Sequence, residues 1–327
     1  MPQRKFEAIE FLKEHSKIAQ KEIIRYLESQ GARSVKSLWL GNLIRCEMTQ
    51  SVADNIKKRE DVVLVYEEAK IKMISGFQVA PASALADTAW GIKKIGAPSV
   101  WSSGYTGRGI VVGCLDSGVR YTHNDLRDHM WTNPGEIAGN GVDDDGNGYI
   151  DDYYGYDFVN SDGDPMDDNT GIYHGTHTAG TVAGDGTSGM YTGVAPDAQV
   201  MALKVIDAGG SGYPSAIIDG IQYGVEMGAM TFNMSLGFSM ASDAIRNAFR
   251  RSFEDLLTAG LTIAISAGNG NDAGGHYSIP YDISTPADCP PPWYGSGGHT
   301  ASIAVGATNS SDNRASFSSY GPTEWST

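Results

Sequence analysis

The chain has 327 residues, with 24 Lys and Arg against 39 Asp and Glu, a formal charge of −15 at pH 7. That sign excludes nucleic acid as the main partner, because phosphate binding requires a basic face. With 41 glycines and 41% hydrophobic residues it reads as a turn-rich folded protein of about two domains, without an apolar run of the ~18 residues a membrane span needs.

Residues 16–30 predict an amphipathic helix, with Ile18, Ile23, Ile24 and Leu27 on one side and Gly31 ending it. Strand-like runs at 35–40 and 43–48, a helix from about 51 to 59 and a last strand at 62–66 complete a small α+β module. Residues 75–87, with Gly76, Pro81 and little periodicity, suit an exposed linker. Residues 1–74 carry 14 Lys and Arg against 11 Asp and Glu, and residues 75–327 carry 10 against 28. Two modules of opposite net charge suggest mutual contact. No signal peptide is visible at Met1–Lys17, and Cys46, Cys114 and Cys289 are too few and scattered for a disulfide framework or a thiolate metal site.

From Trp90 onward short, fully apolar strands (110–115, 200–205, 230–234, 261–266, 302–305) alternate with helical stretches at 174–183, 214–227 and 242–259. Strands apolar on both faces with helical crossovers predict an α/β fold, a mainly parallel doubly wound sheet. Such folds place their sites at the carboxyl ends of the strands. The polar residues found there are Asp116, Ser235 and Asn269.

Asp116 stands in Asp116-Ser117-Gly118, His174 opens His174-Gly175-Thr176-His177-Thr178-Ala179-Gly180, and Asn269 closes Ser266-Ala267-Gly268-Asn269. Together with Ser235-Leu236-Gly237 and Phe317-Ser318-Ser319-Tyr320-Gly321-Pro322, these patterns resemble the subtilisin-like serine proteases, or subtilases, from about Trp90 to Pro322. The chemistry accounts for the residue types. A serine hydroxyl needs a neutral imidazole to take its proton, a carboxylate to fix the tautomer, and a preorganised donor for the oxyanion. The resemblance implies those roles for His174, Asp116 and Asn269, with His177 a structural neighbour. It also implies that Gly210-Ser211-Gly212 and Ser235-Leu236-Gly237 sandwich a polypeptide substrate as an added strand, a mode resting on main-chain hydrogen bonds.

Asp143-Asp144-Asp145-Gly146-Asn147-Gly148-Tyr149-Ile150-Asp151-Asp152 fits the first three quarters of an EF-hand-type loop: Asp143, Asp145 and Asn147 at positions one, three and five, the Tyr149 carbonyl at seven, Asp151 at nine. Position twelve is Tyr154 instead of Glu, so a structural calcium would need ligands from elsewhere or from water. Asp125 resembles a second calcium ligand of the family. Asp162, Asp164, Asp167 and Asp168, just before His174, make a negative cleft favouring basic residues before the scissile bond, with a solvated or calcium-binding loop as the other reading.

The family pattern places the nucleophile in a Gly-Thr-Ser-Met-Ala motif some tens of residues past Gly321-Pro322, outside this sequence; Gly186-Thr187-Ser188 lacks that context. Residues 1–74, including Leu38-Trp39-Leu40-Gly41-Asn42, resemble the inhibitory subtilase prodomain. That resemblance implies a split β-α-β, ferredoxin-like fold whose tail lies along the cleft, with processing between Ile74 and Asp87. The expectation is therefore a serine endopeptidase zymogen, extracellular from its calcium sites and prodomain, with a cytoplasmic enzyme as the alternative that the missing signal peptide permits: prodomain 1–74, linker 75–87, and a C-terminally incomplete catalytic domain 88–327 that is inactive unless a further fragment brings the serine. The alternative is a non-catalytic, calcium-dependent peptide-binding module. Nucleic acid and membrane are not expected as partners.

Overall fold

A computed structural model describes residues 2–72, 88–169, 172–238, 242–270, 282–289 and 300–321. In chain order the elements are α1 (Pro2–Ser29), β1 (Arg33–Leu38), β2 (Leu43–Glu47), α2 (Gln50–Ile56), β3 (Ile71–Lys72), α3 (Trp90–Lys94), α4 (Ala97–Ser102), β4 (Val111–Asp116), β5 (Gly155–Asp157), α5 (His174–Ala183), β6 (Gln199–Lys204), β7 (Ser211–Gly212), α6 (Pro214–Glu226), β8 (Thr231–Met234), α7 (Asp243–Thr258), β9 (Ile263–Ser266) and β10 (Ser302–Val305).

Six strands form one parallel sheet in the order β10-β9-β8-β4-β6-β5. Because side chains alternate along a strand, its two faces feed two cores. Val111 and Leu115 of β4, with Met201 and Leu203 of β6, pack against α6 and α7 through Ile217, Ile221 and Phe249. Val112, Cys114, Val200 and Ala202 point the other way, onto Ala179 and Ala183 of α5. The doubly wound, mainly parallel architecture read from the apolar runs is thus present. The same parity places Asp116, the last residue of β4, on the α5 face. On the edge strand β10, Ile303 and Val305 are 53% and 50% exposed.

The N-terminal module differs from the expected split β-α-β. Its described residues form a long helix, one antiparallel hairpin (β1–β2) and a short helix. The run at 62–66 is not a strand, although Val62 and Val65 still pack on Leu27, Val52 and Ile56. Helix α1 also starts at Pro2, well before residue 16. Its early turns leave Phe6 and Phe11 exposed, so no apolar stripe signals them, but no glycine interrupts them and Gln3 bonds Glu7 one turn on. The linker expected at 75–87 lies outside the described residues.

The hairpin tip carries the module onto the sheet's helices. Leu38, Trp39 and Leu40 are buried in the same core as α6 and α7. Asp219, Gln222 and Glu226, on one stripe of α6, receive the tip and its neighbours. Lys36 Nζ lies 2.6 Å from Asp219, Trp39 N donates to Gln222 Oε1 at 2.7 Å, and Trp39 Nε1 donates to Glu226 at 2.8 Å. Gly41 N donates to Asp255 of α7 at 2.7 Å, and burial pushes that carboxyl up to about 6.

Candidate active site and acidic loop

The carboxyl ends of adjacent strands gather the residues that the sequence singled out. Asp116 ends β4, Gly210-Ser211-Gly212 follow β6, Ser235-Leu236-Gly237 follow β8, and Asn269 follows β9. Asp116 is 0% and His174 6% exposed, and His174 Nδ1 lies 2.6 Å from Asp116 Oδ1. Asp116 accepts two further bonds, from Ser117 N on Oδ1 at 2.8 Å and from Thr178 Oγ1 on Oδ2 at 3.1 Å. An Asp116 carboxylate that accepts from Nδ1–H selects the tautomer whose basic nitrogen is Nε2. His177, one turn along, has its pKa lowered by burial and by the neighbouring His174, which suits a neutral flanking residue.

Two glycines make this approach possible. A Cβ on Gly175 would sit 2.0 Å from the Gly118 carbonyl, so only glycine lets the first turn of α5 lie against the β4 turn. Gly118 itself takes φ +102°, with the Pro165 carbonyl where a Cβ would go.

In the acidic stretch before His174, two of the four aspartates, Asp167 and Asp168, carry internal contacts. Asp167 is buried and accepts from Ser117 Oγ at 3.0 Å, Thr176 N at 2.9 Å and Thr176 Oγ1 at 2.6 Å. Ser117 Oγ in turn accepts from Gly175 N at 3.0 Å. Asp167 therefore fastens the end of β4 to the start of α5, and the dyad spans that joint. Asp168 pairs with buried Lys204, which also donates to the Ser117 carbonyl at 2.8 Å. Asp164 accepts from Tyr121 Oη at 3.0 Å, and Asp162 from Asp164 N at 3.0 Å. Asp167 and Asp168, at least, carry internal bonds instead of a free negative rim. Sequence separation hid these roles, since most of their partners lie tens of residues away.

Ser188 sits beyond the far end of α5 from His174, with its backbone N–H donating to Asp125. Ten helical residues span about 15 Å, so Gly186-Thr187-Ser188 cannot present a hydroxyl to the dyad.

Asn269 is half-buried in a pinned loop: Gly268 takes φ +110°, Ser319 N donates to the Gly268 carbonyl at 2.9 Å, and Gly270 N donates to Ser319 Oγ at 2.9 Å. Ser211 and Gly212 do pair with an extended segment. They form β7, antiparallel to β3, with Ile71 opposite Gly212 and Lys72 opposite Ser211. Upstream, Glu68 accepts from Ser215 N and Ser215 Oγ, both at 2.6 Å, at the first turn of α6. Lys70 pairs with Asp207.

In the acidic loop, ligand oxygens of Asp143 and Asp145 come within 4.8 Å of one another and of Glu136, which the sequence reading missed. Glu136 is 6% exposed, its Oε1 accepts from Asp144 N at 2.9 Å, and its Oε2 is buried without a partner among the described residues. Burial and nearby Asp152 and Asp145 raise its pKa, opposed by backbone donors. Asn147 is drawn in by its bond to Asp145, with Nδ2 donating at 3.2 Å, and the Tyr149 N–H donates to Asn147 Oδ1 at 2.8 Å. Asp151 instead receives Asn140 N and Gly141 N, closing the preceding turn. Asp125 is held by the loop after α5, through the Ser188 N–H. The only hint of Glu136 in the sequence is an acidic residue seven positions ahead of the motif.

Residues 107–327 match the subtilase family model, and the chain belongs to the subtilase family. It is 35% identical over 232 residues to subtilisin NAT of Bacillus subtilis subsp. natto, covering 71% of this chain and 49% of that protein. It is also 37% identical over 186 residues to minor extracellular protease Vpr of Bacillus subtilis (55% of this chain, 20% of that one). With subtilisin-like protease 1 of Plasmodium vivax it shares 39% over 157 residues (47% and 24%). The chain spans about half the length of several subtilisins that it matches.

Proposed function

We propose that this protein is a serine endopeptidase in zymogen form, stabilised by calcium. The observation that carries the reading is the buried 2.6 Å contact between Asp116 and His174 at the carboxyl ends of the parallel strands. His174 Nε2 would take the proton of an incoming serine hydroxyl and return it to the leaving amine, with Asp116 stabilising the imidazolium. Asn269 would donate to the tetrahedral oxyanion, and Ser211–Gly212 with Ser235–Gly237 would hold the substrate backbone. The nucleophile would be a serine in the Gly-Thr-Ser-Met-Ala context that the family pattern places past Gly321-Pro322.

Residues 1–74 act as the inhibitory module, residues 75–87 as the processed linker and residues 88–327 as part of the catalytic domain. The β3–β7 pairing and the Glu68 contact with α6 support this division, since the tail takes the path of a substrate strand. Burial of the hairpin tip against α6 supports a folding role.

All donors in the acidic loop are oxygens, as a hard cation requires, and the unpartnered Glu136 Oε2 supports a calcium held by Glu136, Asp143 and Asp145, with Asn147 and the Tyr149 carbonyl alongside. Calcium there would neutralise the cluster and fix the loop. Export to a calcium-rich medium agrees with the name of the extracellular relative Vpr. Among the described residues, no helix is long and apolar enough to cross a membrane.

The test is a fluorophosphonate probe on the full-length protein after removal of the N-terminal module. The expected label falls on the serine of a Gly-Thr-Ser-Met-Ala peptide and is lost in His174→Ala, with peptide hydrolysis falling by on the order of 10⁶-fold. Labelling and hydrolysis that survive His174→Ala would overturn the assignment.

A further inference from the structure

The tail strand presents side chains as well as backbone, and one of them meets a charge. Asp207 is held in place by its own turn: its Oδ1 accepts from Ser211 N at 2.8 Å, and its backbone N–H donates to the Ser211 carbonyl at 2.8 Å. That leaves Oδ2 as the oxygen turned to the tail, where it pairs with Lys70 Nζ. The ammonium also lies 5.9 Å from the Tyr213 ring centroid, within cation–π range. Lys70 immediately precedes Ile71 and Lys72, the two residues in register with Gly212 and Ser211.

Any peptide adding to β7 in the same register must place its corresponding side chain against the same carboxylate. We propose that Asp207 makes this a subsite selective for a basic side chain, Lys or Arg, at the position just before the β7-paired dipeptide. The inference rests on the reading of β7 as the substrate-binding strand. Selectivity of this kind needs a fixed charge, because a mobile carboxylate would also accommodate neutral side chains through water. The Ser211 N–H supplies that fixity. It also gives a clean probe, since Asp207→Asn keeps an oxygen for Ser211 while removing the charge.

The experiment uses the tail of this chain as its own ligand. Lys70 is changed to Arg, Ala and Glu, each with Asp207 intact and again combined with Asp207→Asn, and amide exchange of Ile71 and Gly212 reports opening of the strand pair. With Asp207 intact, Arg should protect as well as Lys, Ala should open several-fold more, and Glu at least tenfold more. With Asp207→Asn, all four side chains should fall within about twofold. Equal protection by Lys and Glu, or discrimination that persists in Asp207→Asn, would overturn the proposal. Because exchange needs no turnover, the outcome is independent of the peptidase reading. Cleavage of peptides with Lys or Glu at this position by the full-length protein, freed of its N-terminal module, then tests the two together. A Lys preference lost in Asp207→Asn supports both, and equal rates overturn the subsite.

Discussion

Two regions of this molecule are built from aspartates, and they are completed differently. Around the dyad, carboxylate oxygens are met by protein donors: Asp116 by His174, Ser117 and Thr178, and Asp167 by Ser117 and Thr176. In the acidic loop, backbone donors satisfy much of the cluster, yet Glu136 keeps a buried oxygen without a partner among the described residues. Buried carboxylates with full donor shells make a rigid joint from the chain alone. One that lacks a donor marks a place where a cation would complete the shell. On the calcium reading proposed above, the first region would be set by folding alone, and the second by folding plus solution composition.

The sharpest way to break this contrast is at Asp167. Asp167→Ala in the full-length protein should lower kcat by about 10²-fold, because a displacement near 1 Å in a catalytic pair costs on that order, while KM stays nearly constant. Asp167→Asn, which keeps one acceptor, should recover part of it. The hydrogen-bonded His174 Nδ1–H proton resonance should move in Ala and less so in Asn; an unmoved resonance with unchanged kcat would show that the joint does not need Asp167.

The loop should respond to solution where the dyad does not. Chelation should lower the stability of the chain by about 2–3 kcal/mol relative to calcium at roughly a hundredfold excess over its dissociation constant, read as a fall in Tm of several degrees. Glu136→Gln should remove most of that calcium response. Equal melting with and without calcium in both proteins would remove the distinction between the two regions.

The smallest effect concerns Asp255 under the hairpin tip. Its pKa is raised to about 6 by burial, against an ordinary value of 3.8, so the folded state binds the proton more tightly. Its contribution to stability is therefore full below about pH 4 and is lost as pH rises through about 6. The loss should be about 1–2 kcal/mol once solvent screening is allowed for, and Asp255→Asn should flatten the profile over that interval.

Much of this was legible in the chain, and the physical reason is locality. Asp116 and His174 announce themselves because the turn and the helix start that bring them together need Gly118, Gly175 and Thr178 within a few residues of each. The parallel sheet is legible because strands buried on both faces cannot alternate. Glu136, Asp167 and Asp207 were not legible in their roles. Each acts through partners fixed only by the folded chain: an unfilled oxygen, a joint between β4 and α5, a charge turned toward β3. The early turns of α1 escape sequence reading because their outer face carries Phe6 and Phe11, and the expected third strand of the N-terminal module has apolar residues that pack without pairing.

The burial of Leu38, Trp39 and Leu40 in the same core as α6 and α7 has a consequence for cooperativity. A module joined only through polar surface contacts can melt and refold by itself, but one whose hairpin tip completes its neighbour's interior shares that neighbour's transition. Detaching it bares three large side chains together with the helix surface they covered, so departure resembles partial unfolding more than dissociation. A covalent cut in the connecting segment would leave the two pieces associated, and the lifetime of that nicked complex, more than the cut, would set the moment at which the strand beside Ser211 and Gly212 opens.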